Sequence, residues 1–63
     1  MSTLNTDPNI PGPDDFYARL LAAHENRSKQ ESDALNARLI LILSNHIGDV
    51  DVLDEAIALA SDA

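Results

Sequence analysis

The sequence contains no cysteine and no tryptophan, and its 63 residues include only one Phe, one Tyr and two glycines. Without cysteine, no disulfide supports the fold, although a chain this short hides only about 60% of the surface that its unfolded form exposes. Small domains of this kind depend on a metal, on oligomerisation or on efficient helix packing. Two glycines also exclude a Gly-rich phosphate-binding loop. We therefore expect one small domain of marginal stability.

Basic residues are scarce as well, with four Lys and Arg against eleven Asp and Glu and a formal net charge of −7. Contact with a nucleic-acid backbone needs clustered Lys and Arg, so this class of partner is not expected. No Lys or Arg follows Arg38, whereas five acidic residues do. The acidic surface is interpreted as a solvated face, with a steering surface for a basic partner as the alternative.

The N-terminal segment lacks the features of a signal peptide, because no basic stretch leads into an apolar run. We expect a cytoplasmic protein that binds no membrane. Residues 1–12 carry two of the three prolines, which predicts an extended or flexible N-terminal arm. Met1, Leu4 and Ile10 are its sizeable apolar residues, and the last two are candidates for holding the arm on a partner. Residues 13–63 are expected to form the single domain.

Three amphipathic helices are predicted in that domain. The first begins at Pro13 or Asp14 and ends near Glu25 or Asn26. Its predicted apolar side consists of Phe16, Tyr17, Leu20, Leu21 and His24. Asp15 and Arg19 are spaced to form an i,i+4 ion pair on the other side.

The second and third helices have clear boundary signals. Ser28 and Glu31 match a capping box, and Gly48 suits a helix end, so the second helix is predicted over 29–47. Asp49 or Asp51 can cap the third. Its predicted apolar stripe is Val50, Leu53, Ile57 and Ala60, flanked by Val52, Ala56 and Leu59. The fold class is all-α, a small three-helix unit with a long central helix and an extended N-terminal arm.

The second helix is more apolar than packing against two short helices requires. Two adjacent rows can contact the first and third helices, namely Leu35, Leu39, Ile42 and His46, and Asn36, Ile40, Leu43 and Ile47. A third row contains Ala34, Ala37, Leu41, Ser44 and Gly48. A helix that is apolar most of the way round is normally covered most of the way round. The third row is therefore predicted to contact a second copy or another protein, unless the other helices and the N-terminal arm cover it.

No catalytic or ligand-binding motif is present. His24 and Glu25 are adjacent and point about 100° apart on a helix, so they do not form a metal site with His46. No serine lies in a nucleophile elbow. We expect no enzyme activity, no metal and no organic cofactor. The candidate site is instead a protein interface, and its predicted residues are Phe16, Tyr17, Ala34, Ala37, Arg38, Leu41, Ser44, Asn45 and His46. For the polar residues Arg38, Asn45 and His46, the alternative is a position at the rim, in contact with water.

Three segments carry a family resemblance: "DDFYARLLAAH", "LNARLILILSNHIGD" and "VLDEAIALA". Together they resemble a family of short bacterial proteins known only as a domain of unknown function, over residues from about 13 to 60. The resemblance implies a companion of flavin-dependent aromatic hydroxylases, beside whose genes such proteins are often encoded. It assigns no functional residues.

The expected function is thus a non-catalytic protein–protein interaction module, an accessory subunit of a larger bacterial enzyme such as a flavin-dependent aromatic hydroxylase. The main alternative is a freestanding helical homodimer with a structural or regulatory role. A weaker alternative is an acidic decoy that occupies a basic nucleic-acid-binding surface.

Overall fold

The computed structural model describes residues 3–62, which form three helices and no strand. Helix α1 is Pro13–Ala23, α2 is Lys29–Ile47 and α3 is Val50–Ser61. The predicted all-α class with a long central helix is confirmed. The ends of the two segments predicted as arm and domain, Met1, Ser2 and Ala63, lie outside the described residues.

Helix α1 begins at Pro13, as predicted, with Asp14 and Asp15 in its first turn. It ends at Ala23, earlier than the predicted end near Glu25 or Asn26. Asn26 has a left-handed backbone with φ of 60°, a conformation that an α-helix does not contain. The chain therefore leaves the helix through a turn, in which the Glu25 N–H donates to the Ala22 carbonyl at 3.1 Å.

The predicted capping box at the start of α2 is confirmed. The Glu31 N–H donates to Ser28 Oγ at 3.1 Å, and the Ser28 N–H donates to Glu31 Oε1 at 2.8 Å. At the other end, Gly48 adopts φ of 65° and its N–H donates to the Ser44 carbonyl at 2.9 Å. Both ends of the longest helix are thus determined by nearby residues.

Helix α3 follows after Gly48 and Asp49. Of the two predicted capping residues, Asp49 is the one in place, because its Oδ1 accepts from the Asp51 N–H at 3.0 Å and the Val52 N–H at 3.2 Å. A connection this short keeps α3 next to the C-terminal half of α2.

The described part of the N-terminal arm, residues 3–12, contains no helix or strand. It nevertheless contacts the rest of the chain, since the Leu4 N–H donates to Glu55 Oε2 on α3 at 2.6 Å. Leu4 is half-buried there, whereas Ile10 is exposed. The sequence does not predict this contact with the chain's own α3.

The three helices form an open arrangement. No residue in 3–62 is buried, and no two helices pack closely along their length. The radius of gyration is 13.5 Å, whereas a compact chain of this length has about 11 Å. The accessible surface is 5561 Å², and a compact monomer of this mass exposes about 4,000 Å². The helices are formed, but they do not enclose a core.

Candidate functional site

A shallow groove of about 380 Å³ lies between α1 and α2. Helix α1 contributes Phe16, Arg19, Leu20 and Ala23. Helix α2 contributes Leu35, Arg38, Leu39 and Ile42. The six residues other than the arginines are apolar, so this α1–α2 groove has an apolar lining with two cationic side chains.

A second groove of about 380 Å³ lies on another side of α2, next to α3. This α2–α3 groove is lined by Ile40 and Ser44 from α2, and by Leu53, Ala56, Ile57 and Ala60 from α3. All but one of these side chains are apolar. Helix α2 thus has an open apolar surface on each side, each shared with one shorter helix.

Arg19 lies in the α1–α2 groove, a position that the sequence pattern did not predict. The expected ion pair between Asp15 and Arg19 is wrong, since in residues 3–62 the ion pair that forms is Lys29–Asp33, at 2.8 Å. Position 19 is three residues after Phe16 and four before Ala23, a spacing that places all three on one side of a helix. That spacing was the available signal, and the charge of Arg19 obscured it.

Three of the nine predicted interface residues line a groove. Phe16 and Arg38 line the α1–α2 groove, and Ser44 lines the α2–α3 groove. The other six are exposed and line neither groove: Tyr17, Ala34, Ala37, Leu41, Asn45 and His46.

Within the third row of α2, Ser44 has a different environment from Ala34, Ala37 and Leu41. Ser44 is half-buried in the α2–α3 groove, because it lies four residues after Ile40 and on nearly the same side of the helix. Ala34, Ala37 and Leu41 are exposed, and the exposed fraction of Leu41 is 70%.

On α3, the predicted stripe is wrong at Val50, which is 69% exposed and outside the groove. Val50 is the first residue of α3.

Glu31, His24 and His46 are ionisable groups that lie outside both grooves. The backbone N–H and the hydroxyl of Ser28 hold the pKa of Glu31 below its usual range. His24 is half-buried just after α1, and His46 is exposed in the last turn of α2. Within residues 3–62, no three His, Asp or Glu side chains come together as metal ligands.

None of the three described helices has the length and apolar content needed to cross a membrane. The open grooves and the acidic surface define the class: a small all-α protein with unfilled apolar surfaces. The chain belongs to the family described as "Protein of unknown function (DUF2783)", whose model matches residues 4–62. No curated protein and no solved structure matches it.

Proposed function

We propose that the chain is a non-catalytic protein–protein interaction module, an accessory subunit of a larger bacterial enzyme such as a flavin-dependent aromatic hydroxylase. The observation that carries this proposal is that both grooves beside α2 are apolar and open. Burial of apolar surface is the main favourable term in folding and in most protein association. A second protein that fills the grooves supplies the burial that the three helices do not achieve by themselves.

The amount of unburied surface supports a lasting association. The accessible surface of 5561 Å² exceeds that of a compact monomer by about 1,600 Å². A standard interface buries about 800 Å² on each partner, and obligate interfaces bury more. Part of this excess belongs to the extended residues 3–12 and part to the open helices, and the exposed faces of the helices are the surface that a subunit interface would bury.

The choice of a hydroxylase as the larger enzyme rests on the family resemblance, which implies genes encoded side by side. A bacterial cytoplasmic setting belongs to the same proposal. The non-catalytic role rests on the lack of any recognisable catalytic motif in the sequence.

A homodimer is the second candidate function, and one surface favours it. Ala34, Ala37 and Leu41 are exposed on one side of α2. Two small residues beside one large residue allow the backbone of another helix to approach closely. A second copy of α2 is a suitable occupant of that side.

Measurement of molecular mass tests both candidates. The chain is purified alone and together with the hydroxylase encoded beside its gene, and each sample is analysed by size-exclusion chromatography with light scattering. Co-elution of the chain with the flavin absorbance supports the accessory subunit. A dimer mass for the chain alone, without co-elution, supports the homodimer. A helical monomer that binds neither the hydroxylase nor a second copy of itself contradicts the proposed function.

A further inference from the structure

The four basic residues of the chain fall into two different environments. Arg27 and Lys29 have partners: Arg27 Nε donates to the Ala23 carbonyl at 2.8 Å, and Lys29 Nζ pairs with Asp33 at 2.8 Å. Arg19 and Arg38 both line the α1–α2 groove. Within residues 3–62, neither forms an ion pair or a hydrogen bond through its side chain.

This distribution is informative because the chain has eleven Asp and Glu residues. None of these carboxylates lines the α1–α2 groove. A guanidinium group presents a planar set of donors that matches a carboxylate, and it tolerates partial burial better than an ammonium group. Two unpaired arginines beside an apolar channel therefore provide both apolar contact and charge recognition.

We infer that the α1–α2 groove binds an amphipathic helix of the partner protein, whose apolar face is bordered by Asp or Glu side chains that pair with Arg19 and Arg38. This inference rests on the proposed function and names the chemistry of its partner. The groove lies between α1 and α2. A third helix can pack onto such a pair of helices, as in a helix bundle, so a helix is a suitable ligand for this groove. The stretch of α2 from Leu35 to Ile42 is about two turns long, enough to contact successive apolar residues of the bound helix.

Three synthetic peptides of about 18 residues, or five helical turns, serve as probes. Each has a leucine face, and the residues that border it are glutamate, glutamine or lysine. Binding of the fluorescein-labelled peptides to the full chain is measured by fluorescence anisotropy at physiological salt. The glutamate peptide is expected to bind most tightly.

Two double variants separate the groove from the overall charge of the protein. Arg19→Gln/Arg38→Gln removes the two positive charges that line the groove. Arg27→Gln/Lys29→Gln removes the two positive charges that lie outside the groove. Each changes the formal net charge of −7 by two, to −9. The first variant is expected to weaken binding of the glutamate peptide about fivefold or more, and the second less than about twofold. Circular dichroism checks that both variants keep the helicity of the native chain.

Several outcomes overturn the inference. They are a lysine or glutamine peptide that binds as well as the glutamate peptide, equal losses in the two variants, and no binding of any peptide. A dimer of the native chain that Arg19→Gln/Arg38→Gln converts to a monomer also overturns it, because the occupant is then a second copy. None of these peptide results affects co-elution with the hydroxylase, so the proposed function stands or fails on its own measurement.

Discussion

At the scale of single residues, Gly48 determines how the chain turns from α2 into α3. Its φ is 65°, in the left-handed region that residues other than Gly and Asn rarely adopt. A Cβ atom added there would lie 3.6 Å from the Asn45 carbonyl oxygen, an ordinary contact. The requirement for glycine is therefore one of backbone conformation, and not of space.

Gly48→Ala is expected to destabilise the α2–α3 connection by about 1–2 kcal/mol, because alanine pays the conformational cost of the left-handed region. Thermal unfolding followed by circular dichroism measures the loss. Gly48→Asn is the control, since asparagine adopts this conformation more readily and should lose less. Equal stability of Gly48→Ala and the native chain would show that the connection is not held in this conformation.

Leu41 is the second informative residue, because its side chain is 70% exposed although it lies in the most apolar part of α2. Leu41→Asp is expected to cost about 2 kcal/mol or more of association with a partner or a second copy, since it places a charge in an apolar interface. Helicity should change little, because aspartate is only modestly worse than leucine in a helix. Mass by light scattering and helicity by circular dichroism are measured on the same samples.

Ala58→Asp is the matched control for Leu41→Asp. It adds the same charge at an exposed position of α3 that lines neither groove. Loss of helicity in Leu41→Asp, or unchanged association in both variants, would mean that this side of α2 is not an interface.

At the scale of elements, α2 begins with two reciprocal hydrogen bonds between Ser28 and Glu31. Of these two bonds, the one from the Ser28 backbone N–H reaches the Glu31 carboxylate. It is the largest cause that lowers the pKa of Glu31, and the Ser28 hydroxyl lowers this pKa further. A group whose pKa is lower in the folded state stabilises that state above its unfolded pKa. This contribution is lost as the pH falls through the folded pKa.

The start of α2 is therefore expected to lose helicity in acid, below the ordinary pKa range of glutamate. Glu31→Gln keeps an oxygen acceptor but does not titrate, so its helicity should depend less on pH over that window. Circular dichroism during acid titration of both chains measures the difference, and the other carboxylates titrate equally in each. Superimposable titration curves would contradict a role for Glu31 ionisation in the cap.

At the scale of the whole molecule, the three helices are formed although residues 3–62 contain no buried core. No residue in 3–62 is buried, and the radius of gyration of 13.5 Å exceeds the value of about 11 Å for a compact chain. Short helices are marginal in water without tertiary packing. The stability of the protein should therefore depend on what it binds.

The lone chain is expected to melt gradually, and its apparent Tm should rise when an associating partner is present, by mass action. Circular dichroism melts at two chain concentrations, with and without the candidate hydroxylase, measure this dependence. A rise with chain concentration indicates a homodimer, and a rise only with the hydroxylase indicates an accessory subunit. A sharp melt that is independent of both would show that the three helices form a sufficient core by themselves.

The sequence predicted the helices well, because their boundary signals act over a few residues. Ser28, Gly48 and Asp49 each make hydrogen bonds to residues two to four positions away. The end of α1 was predicted too late. Asn is one of the few residues that adopt the left-handed backbone, but the presence of Asn26 does not determine how many residues earlier the helix ends. Of the predicted interface residues, Phe16 and Arg38 line the α1–α2 groove and Ser44 lines the α2–α3 groove, whereas Arg19 was assigned to the other side of α1.

By itself, the sequence determined the class, the three helices, and the caps of α2 and α3, because dihedral preferences and capping hydrogen bonds are local. Only the tertiary structure decided which helix faces share a groove and where the N-terminal arm lies. Leu4 contacts Glu55 across 51 positions, and Arg19 and Arg38 line the same groove only because α1 and α2 both border it. Contacts between residues of different segments depend on the relative orientation of the helices. The spacing of residues within a single helix does not specify that orientation.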